Sequence, residues 1–502
     1  MLKKAMKLPP LRLTLQRQCV IIGVYADFIL FRKSGIDAGR YTYRMEANNK
    51  TENTAYSAAV RTEFQHQAVN IMAKAPIYAV GLFLASPLIE LIKRIFTWNS
   101  VDWEDYYNDI YTYHDTSDKV NVIAAILSLL AYFFVIMHFK RKQDQMPAIL
   151  KRNWKRFIPI VLMWLFAIAI LNSSLLNGMV GYDLRGHTYM HESIFSFMLY
   201  AVGYFFCGAM MRKSSQKRKL LYLLLFSSIP LALLTLYDEW FDRIPIFIGE
   251  GVAAVFHQFN HYGYYLMMVT ISAAGLFVYE KEKKWKLISA GIGLLNAFVL
   301  IMNDTFGTYL AVAFVLIALT VHCLIRERRY LKWALIALGS FVLLTFLMSF
   351  AYDTVFSSFL KLFRDVSDIA SNSEDIGDIG SGRWVLWTNT MSHLWESPLI
   401  GFGVEGMLRI YNVGTPHNEL MQYAANFGIP AMLLYFSSVL IILFTVLRHY
   451  KRFSKMTLIC FCAAVGYFCN SMVAVTIYYT TPLFYTFLGM AYAEYLHGGF
   501  KD

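Results

Sequence analysis

The residues that could do chemistry in this 502-residue chain are concentrated in one stretch, residues 381–430. The stretch is polar to mixed in an otherwise apolar chain, and its ionisable side chains lie between apolar segments. They are Arg383, His393, Glu405, Arg409, His417 and Glu419. Guanidinium groups make planar, bidentate contacts with phosphate oxygens, and a neutral histidine can accept a proton near pH 7. What these groups can do together depends on which side of a membrane they face.

The composition predicts a membrane protein. Hydrophobic residues make up 57% of the chain, charged residues only 16%, and the mean hydropathy is +0.43. Soluble domains have about 45–50% apolar and about 25% charged residues. The net charge of +12 lies in short loops, so it indicates membrane orientation and no nucleic-acid partner.

About twelve apolar segments are long enough to span a bilayer, which needs about 20 residues per helix. They lie near residues 70–92, 120–139, 157–177, 191–211, 220–237, 258–279, 286–302, 304–325, 331–351, 427–447, 455–475 and 481–496. The predicted fold class is therefore an all-α, polytopic helical membrane protein.

Every second loop between these segments is strongly basic. The basic loops are residues 140–156, 212–219, 281–286, 326–332 and 448–455. The intervening loops are acidic or mixed: residues 101–118, 177–192, 237–250 and 352–426. Because basic loops stay in the cytoplasm, this alternation predicts that both termini are cytoplasmic and that the loop 352–426 is extracytoplasmic. The chemistry-bearing stretch then faces outward.

The chain divides into four predicted regions. Residues 1–69 form a cytoplasmic or interfacial N-terminal region without a signal-peptide cleavage site, and residues 70–351 hold transmembrane helices 1–9. Residues 352–426 are one long extracytoplasmic loop with short helices, and residues 427–502 hold helices 10–12 and a short C-terminal tail. The six cysteines lie in or beside apolar runs without metal-ligand spacing, so they are interpreted as small hydrophobic residues.

Three short elements occur in order at the end of this loop: S-G-R-W-V-L-W at residues 381–387, P-L-I-G-F-G at 398–403, and H-N-E-L-M-Q at 417–422 followed by G-I-P at 428–430. Together they resemble the hallmark of the O-antigen ligase and O-antigen polymerase membrane proteins. The family pattern is roughly an S-G-R-x-x-x-W element, a P-L-x-G-x-G turn, and an H-N element, ending in glycine, that opens the next membrane helix. The composite is specific, although each piece alone is weak.

Outside these elements the resemblance is patchier. Residues 259–266 resemble a degenerate form of the family's Asn-containing start of a middle helix. Residues 303–311 lie where ligases carry a Ser-Arg-Gly at the outer end of a helix, but Phe306 replaces the arginine here. This departure mildly favours a polymerase over a ligase, and both remain open.

The resemblance implies a transferase in the bacterial cytoplasmic membrane that moves a glycan from an undecaprenyl-diphosphate carrier to a glycan or lipid-linked acceptor hydroxyl. It implies direct attack without metal or cofactor. His417 is expected to be the general base, and Arg383 to stabilise charge on the leaving diphosphate. The expected substrate-binding residues are His261, Glu405, Arg409, Asn418 and Glu419. Membrane lipids and polysaccharide-assembly proteins are the other expected partners.

A transporter is the main alternative, for example a flippase for the same lipid-linked glycans. Twelve spans with both ends inside is a common transporter layout. A transporter also tends to carry an internal repeat and ionisable residues at mid-membrane depth. This sequence shows no convincing repeat, and charges at the centres of its predicted spans are scarce. An inactive partner in a polysaccharide-assembly complex is a third hypothesis.

Overall fold

A computed structural model describes residues 70–97, 115–141, 153–178, 192–241, 251–256, 258–352, 382–476 and 478–498, together with residues 68, 184, 244, 246, 247 and 360. Within these residues, helices are the only regular secondary structure, as the sequence predicts. The predicted N-terminal region and the first part of the long loop lie almost wholly outside the described residues. All the structure below belongs to the unit of residues 69–502.

Sixteen helices organise the described residues. They are α1 (Asn70–Leu84), α2 (Ser86–Thr97), α3 (Asp115–Arg141), α4 (Ile158–Leu176), α5 (Ile194–Ala209), α6 (Ser214–Trp240), α7 (Phe259–Tyr279), α8 (Lys283–Met302), α9 (Phe306–Arg326), α10 (Arg328–Met348), α11 (Arg383–Leu394), α12 (Gly406–Tyr411), α13 (Glu419–Phe427), α14 (Ile429–His449), α15 (Lys455–Ser471) and α16 (Thr481–Leu496). Single tighter turns, Trp154–Phe157 and Tyr450–Arg452, adjoin α4 and α14, and α5 contains the wider π-helical turn Leu199–Tyr204.

Eight of the described helices are long and apolar enough to cross a membrane, or nine if α1 and α2 form one bent span. Each of the twelve predicted segments contains a described helix. However, α5, α15 and α16 have only 16 or 17 residues, which at 1.5 Å per residue is short of a hydrocarbon core of about 30 Å. The exact count of twelve spans therefore stays a prediction.

The first predicted span is broken. The sequence predicts one helix over residues 70–92, whereas α1 and α2 meet at an angle of 57° and α2 continues to Thr97. Pro87 stands at the start of α2, where its ring and its missing N–H cannot continue the preceding helix. The proline accounts for the bend.

Burial separates central helices from peripheral ones. In α7, 94% of the apolar window is buried, whereas in α10 only 22% is buried. A helix that is apolar all round and almost wholly buried lies in the core of a bundle. Large apolar side chains of α10 such as Leu343 and Phe346 are more than half exposed, which suits a lipid-facing surface and not an aqueous one.

The short helix α13 packs inside this bundle. Phe166 of α4 and Tyr435 of α14 lie with their ring centroids 5.2 and 4.8 Å from that of Tyr423, and Phe197 of α5 lies 5.0 Å from Phe427. Each such pair contributes about 0.5–1.5 kcal/mol beyond the apolar area it buries. The nine residues of α13 therefore pack against α4, α5 and α14.

Candidate functional site

The turn at residues 398–403 is docked on the break between α13 and α14. The Gly403 N–H donates to the Asn426 carbonyl (2.8 Å), and the Ile429 N–H donates to the Pro398 carbonyl (2.8 Å). These two bonds use backbone groups at helix ends, which have no partner within their own helix. The P-L-x-G-x-G element and the end of the H-N element thus form one folded unit.

Two glycines make this docking possible. Gly401 has a φ of +73°, and a Cβ placed on it would lie 2.5 Å from the Asn426 carbonyl carbon and oxygen. Gly428 has a φ of +89°, and its Cβ would lie 2.3 Å from the Leu399 carbonyl oxygen. Left-handed backbone and backbone contact at this distance both exclude a side chain. This explains why glycine is needed at both positions.

Gly401→Ala is expected to destabilise the protein by about 2 kcal/mol or more, because a left-handed alanine costs roughly 1–2 kcal/mol and its Cβ also clashes. The matched control is Gly291→Ala in α8, where an added Cβ meets nothing within 4 Å. That change should leave stability unchanged or raise it by up to about 1 kcal/mol. Thermal unfolding of the purified proteins in detergent measures both, and equal melting temperatures for the two variants would contradict the docking described above.

The first motif element is tied to the third by a tryptophan. The Trp387 indole N–H on α11 donates to the Pro416 carbonyl at 2.6 Å, next to His417 in the chain. Arg383 begins the same helix and lies one turn before Trp387, so both side chains project from one face. Their spacing in S-G-R-x-x-x-W brings Arg383 towards His417, and the positive charge of Arg383 acts on the imidazole.

His417 has a constrained backbone and a defined ring orientation. It has a φ of +51°, which residues other than glycine rarely adopt, and its ring is half-buried. Nδ1 lies 2.9 Å from the Thr415 carbonyl oxygen. Because a carbonyl oxygen can only accept, Nδ1 carries the hydrogen, and in the neutral ring Nε2 keeps its lone pair. Nε2 is the nitrogen able to take a proton.

The surroundings of His417 favour the neutral ring. Burial lowers the pKa of His417, the bond to the Thr415 carbonyl opposes this effect, and the positive charge of Arg383 lowers the pKa further. The ring is therefore deprotonated at a lower pH than an ordinary histidine, which suits a general base near pH 7.

Asn418 caps α13. Its Oδ1 accepts a hydrogen bond from the Met421 N–H (3.0 Å), and its Nδ2 donates to the Met472 carbonyl (3.0 Å). The sequence predicts a substrate-orienting role for Asn418. In the structure both polar ends of its side chain contact protein, and they fix the chain directly after His417.

Glu419 and His261 are fully buried in the helix bundle, with 0% of either residue exposed. Oε1 of Glu419 accepts a hydrogen bond from the Tyr423 hydroxyl, one helical turn away (2.9 Å). His261 lies in α7, the most buried of the candidate spans. Neither side chain lines the cleft between α12 and α13, and their substrate contacts stay predictions.

Arg409 lies in α12, and Glu405 directly precedes this helix. Glu405 precedes this helix with a φ of +54°, and Arg409 follows one turn later on an exposed face. A Cβ on Gly403 would lie 3.4 Å from Nη2 of Arg409, an ordinary contact distance, so the guanidinium group lies beside the second glycine of the turn. Arg409 is thereby held close to the docked turn.

A cleft of about 170 Å³ lies between these elements. Residues from before α5, from around α12, from the loop before His417 and from α13 line it. Its polar lining residues include Glu192, Glu405, Thr415, Gln422 and Asn426. Thr415 lines the cleft, and its carbonyl holds the His417 ring, whereas His417, Arg383 and Arg409 are not among the residues that line the cleft. Sequence reasoning missed Glu192, because a single glutamate at the start of an apolar segment indicates only a helix boundary.

Residues 291–436 match the family model described as O-antigen ligase. The match extends from α8 into α14 and includes all three motif elements and the docked turn. It confirms the resemblance and implies a glycosyltransferase-like activity on lipid-linked glycans. Together with the apolar helices it indicates a multi-pass membrane protein. No curated protein matches the chain.

Proposed function

We propose that this membrane protein with an O-antigen ligase domain transfers a glycan from an undecaprenyl-diphosphate carrier to an acceptor hydroxyl on the outer face of the bacterial cytoplasmic membrane. The observation that carries the proposal is the geometry of His417. The Thr415 carbonyl orients its ring, the positive charge of Arg383 acts on it, and Thr415 itself lines a cleft with hydrogen-bonding side chains.

In the proposed reaction the oxygen of the acceptor hydroxyl attacks the anomeric carbon of the donor sugar. The bond between that carbon and the diphosphate oxygen breaks, and its electron pair leaves with the lipid diphosphate. Nε2 of His417 takes the hydroxyl proton and later releases it to water. A single displacement inverts the anomeric carbon and needs neither a covalent enzyme intermediate nor a metal ion.

Arg383 is the proposed partner of the leaving diphosphate, with Arg409 second. Arg383 is the first residue of the twelve-residue helix α11, where backbone N–H groups and the helix dipole also favour an anion. A fixed guanidinium group at this place stabilises the charge that develops as the sugar–phosphate bond breaks. Arg409 lies exposed beside the adjoining turn and is the proposed partner of the second phosphate.

A polymerase is the form of this activity that we favour over a ligase. At the start of α9, where ligases carry an arginine, Phe306 packs edge-on against Tyr309 with ring centroids 5.2 Å apart. An aromatic ring at this position supplies no cation for an anionic lipid acceptor. The proposed acceptor is therefore another glycan chain or lipid-linked repeat unit.

Deletion of the gene, followed by analysis of surface glycan, tests the proposal. A polymerase predicts that a ladder of long chains collapses to a single repeat unit. Free polymer that lacks its anchor would instead indicate a ligase, which keeps the transfer chemistry but changes the acceptor. Lipid-linked units trapped on the cytoplasmic side would indicate a flippase and contradict the proposed transfer.

A further inference from the structure

Glu192 is a buried carboxyl group in the wall of the cleft. It directly precedes α5, only 2% of the residue is exposed, and it lines the cleft together with Glu405 and Gln422. The proposed transfer reaction assigns it no role. Burying an ionisable side chain at a substrate cleft is costly, so its environment shows what it can contribute.

One oxygen of this carboxyl group is held by protein. Oε2 accepts hydrogen bonds from Nε2 of Gln422 (3.2 Å) and from the Thr476 hydroxyl. Oε1 of Gln422 in turn accepts from the Thr476 N–H (3.2 Å), which fixes the orientation of the amide. Oε1 of Glu192 is also buried, but it has no hydrogen-bond partner among the described residues. The side chain lines the cleft, so Oε1 is the carboxyl oxygen that has no partner in the described part of the protein beside this cavity.

The surroundings of Glu192 disfavour a negative charge. Burial raises the pKa of Glu192 well above its usual range, and the hydrogen bonds from Thr476 and Gln422 only partly offset this. The carboxyl groups of Glu419 on α13 and Glu405 before α12 raise it further. In the neutral acid the proton belongs on Oε1, because Oε2 already accepts two hydrogen bonds.

We propose that Glu192 is a specificity-determining residue that donates a hydrogen bond from its neutral carboxyl group to an oxygen atom of the sugar bound in the cleft. This inference rests on the proposed transfer function, to which it adds an acceptor-sugar subsite beside His417. Among the described residues that line the cleft there is no cationic side chain, and Glu405 adds a second carboxyl group beside the neutral Glu192. The subsite therefore favours neutral or amino sugars over uronic acids.

Two variants of Glu192 distinguish donation from other roles. In Glu192→Gln the amide oxygen must take the place of Oε2, because that position accepts hydrogen bonds from Gln422 and Thr476. The NH₂ group then takes the place of Oε1 and can still donate a hydrogen bond to the sugar. Glu192→Met has a similar size but no hydrogen-bonding hydrogen. The substrate is lipid-linked repeat units extracted from host cells that lack the gene, and the full-length purified proteins are compared.

For Glu192→Gln we expect a half-saturating substrate concentration within about threefold of wild type. For Glu192→Met we expect an increase of about tenfold with a nearly unchanged maximal rate, because one hydrogen bond to the sugar is lost in the bound state. Infrared spectra of the protein without substrate provide a second measurement. The carbonyl band of a neutral carboxyl group should be present in wild type at pH 7 and weaker in Glu192→Gln.

The inference is overturned if Glu192→Gln weakens binding as much as Glu192→Met, if Glu192→Met binds like wild type, or if the infrared band is the same in wild type and Glu192→Gln. The infrared measurement needs no activity, so it decides the protonation of Glu192 even if the methionine variant does not fold. Failure of the wild-type protein to transfer any glycan would instead contradict the proposed function.

Discussion

His417→Ala is expected to slow glycan transfer by about 10²–10⁴-fold, the usual contribution of a positioned general base. The reason is the orientation of the ring: the Thr415 carbonyl holds the hydrogen on Nδ1 and leaves Nε2 to take the proton of the acceptor hydroxyl. The rate of chain elongation by purified protein measures the effect. Membrane abundance should stay near that of wild type, because the hydrogen bond between the ring and the Thr415 carbonyl lies in the loop before α13 and not in the helix bundle.

The matched control is His138→Ala. His138 is exposed on α3, near the end of that helix predicted to be cytoplasmic, and the substitution should leave transfer within about twofold of wild type. If His417→Ala also elongates glycan at the wild-type rate, His417 is not the base. A loss caused by misfolding would instead show as lower abundance or a lower melting temperature of the variant.

Arg383→Gln is expected to reduce transfer by about 10²–10³-fold, comparable to the loss of one fixed donor at a developing negative charge. Arg383→Lys should recover part of the rate, because lysine keeps the charge but not the planar, bidentate geometry. The control is Arg329→Gln at the exposed start of α10, which should leave transfer unchanged. Wild-type elongation by Arg383→Gln would remove Arg383 from the proposed site.

The pH profile of Arg383→Gln provides an independent check on its distance from His417. In wild type the rate should fall as the pH drops through the lowered pKa of His417, because the protonated ring cannot act as a base. Without the positive charge of Arg383, the pKa of His417 rises and this loss of rate moves to higher pH. The shift is partial, since burial, the largest cause, remains. An unchanged profile would place Arg383 too far away to act on the imidazole.

The fold was predictable from sequence to the level of an all-helical membrane protein, because spans of about 20 apolar residues have no soluble alternative. Finer features depended on contacts between distant residues. The bend between α1 and α2 follows from Pro87, within one predicted span. The burial of α13 follows from Phe166, Phe197 and Tyr435 on other helices, which no local pattern of nine residues reveals.

The sequence identified the candidate-site residues that lie within the three motif elements. It did not identify residues that distant segments of the chain bring to the cleft. The order of the three elements predicted that Arg383 and His417 act together; the Trp387–Pro416 hydrogen bond joins the helix of Arg383 to the residue before His417, and their joint role stays a prediction. The structural roles of Gly401 and Gly428 depend on the contact between the turn at residues 398–403 and the break between α13 and α14, which the sequence does not show. Glu192 lies more than two hundred residues before Gln422, so its place in the cleft required the fold.

In the proposed function, this chain itself transfers glycan from a polyprenyl diphosphate. The most direct test of this function incubates the purified protein in detergent or lipid vesicles with lipid-linked repeat units extracted from gene-deleted host cells, and follows glycan length and free undecaprenyl diphosphate together. The predicted result is that longer glycan and undecaprenyl diphosphate form in step with wild-type protein, and that neither forms with His417→Ala. Folded wild-type protein that consumes no donor, or that releases diphosphate without extending a glycan, would contradict the proposed transfer.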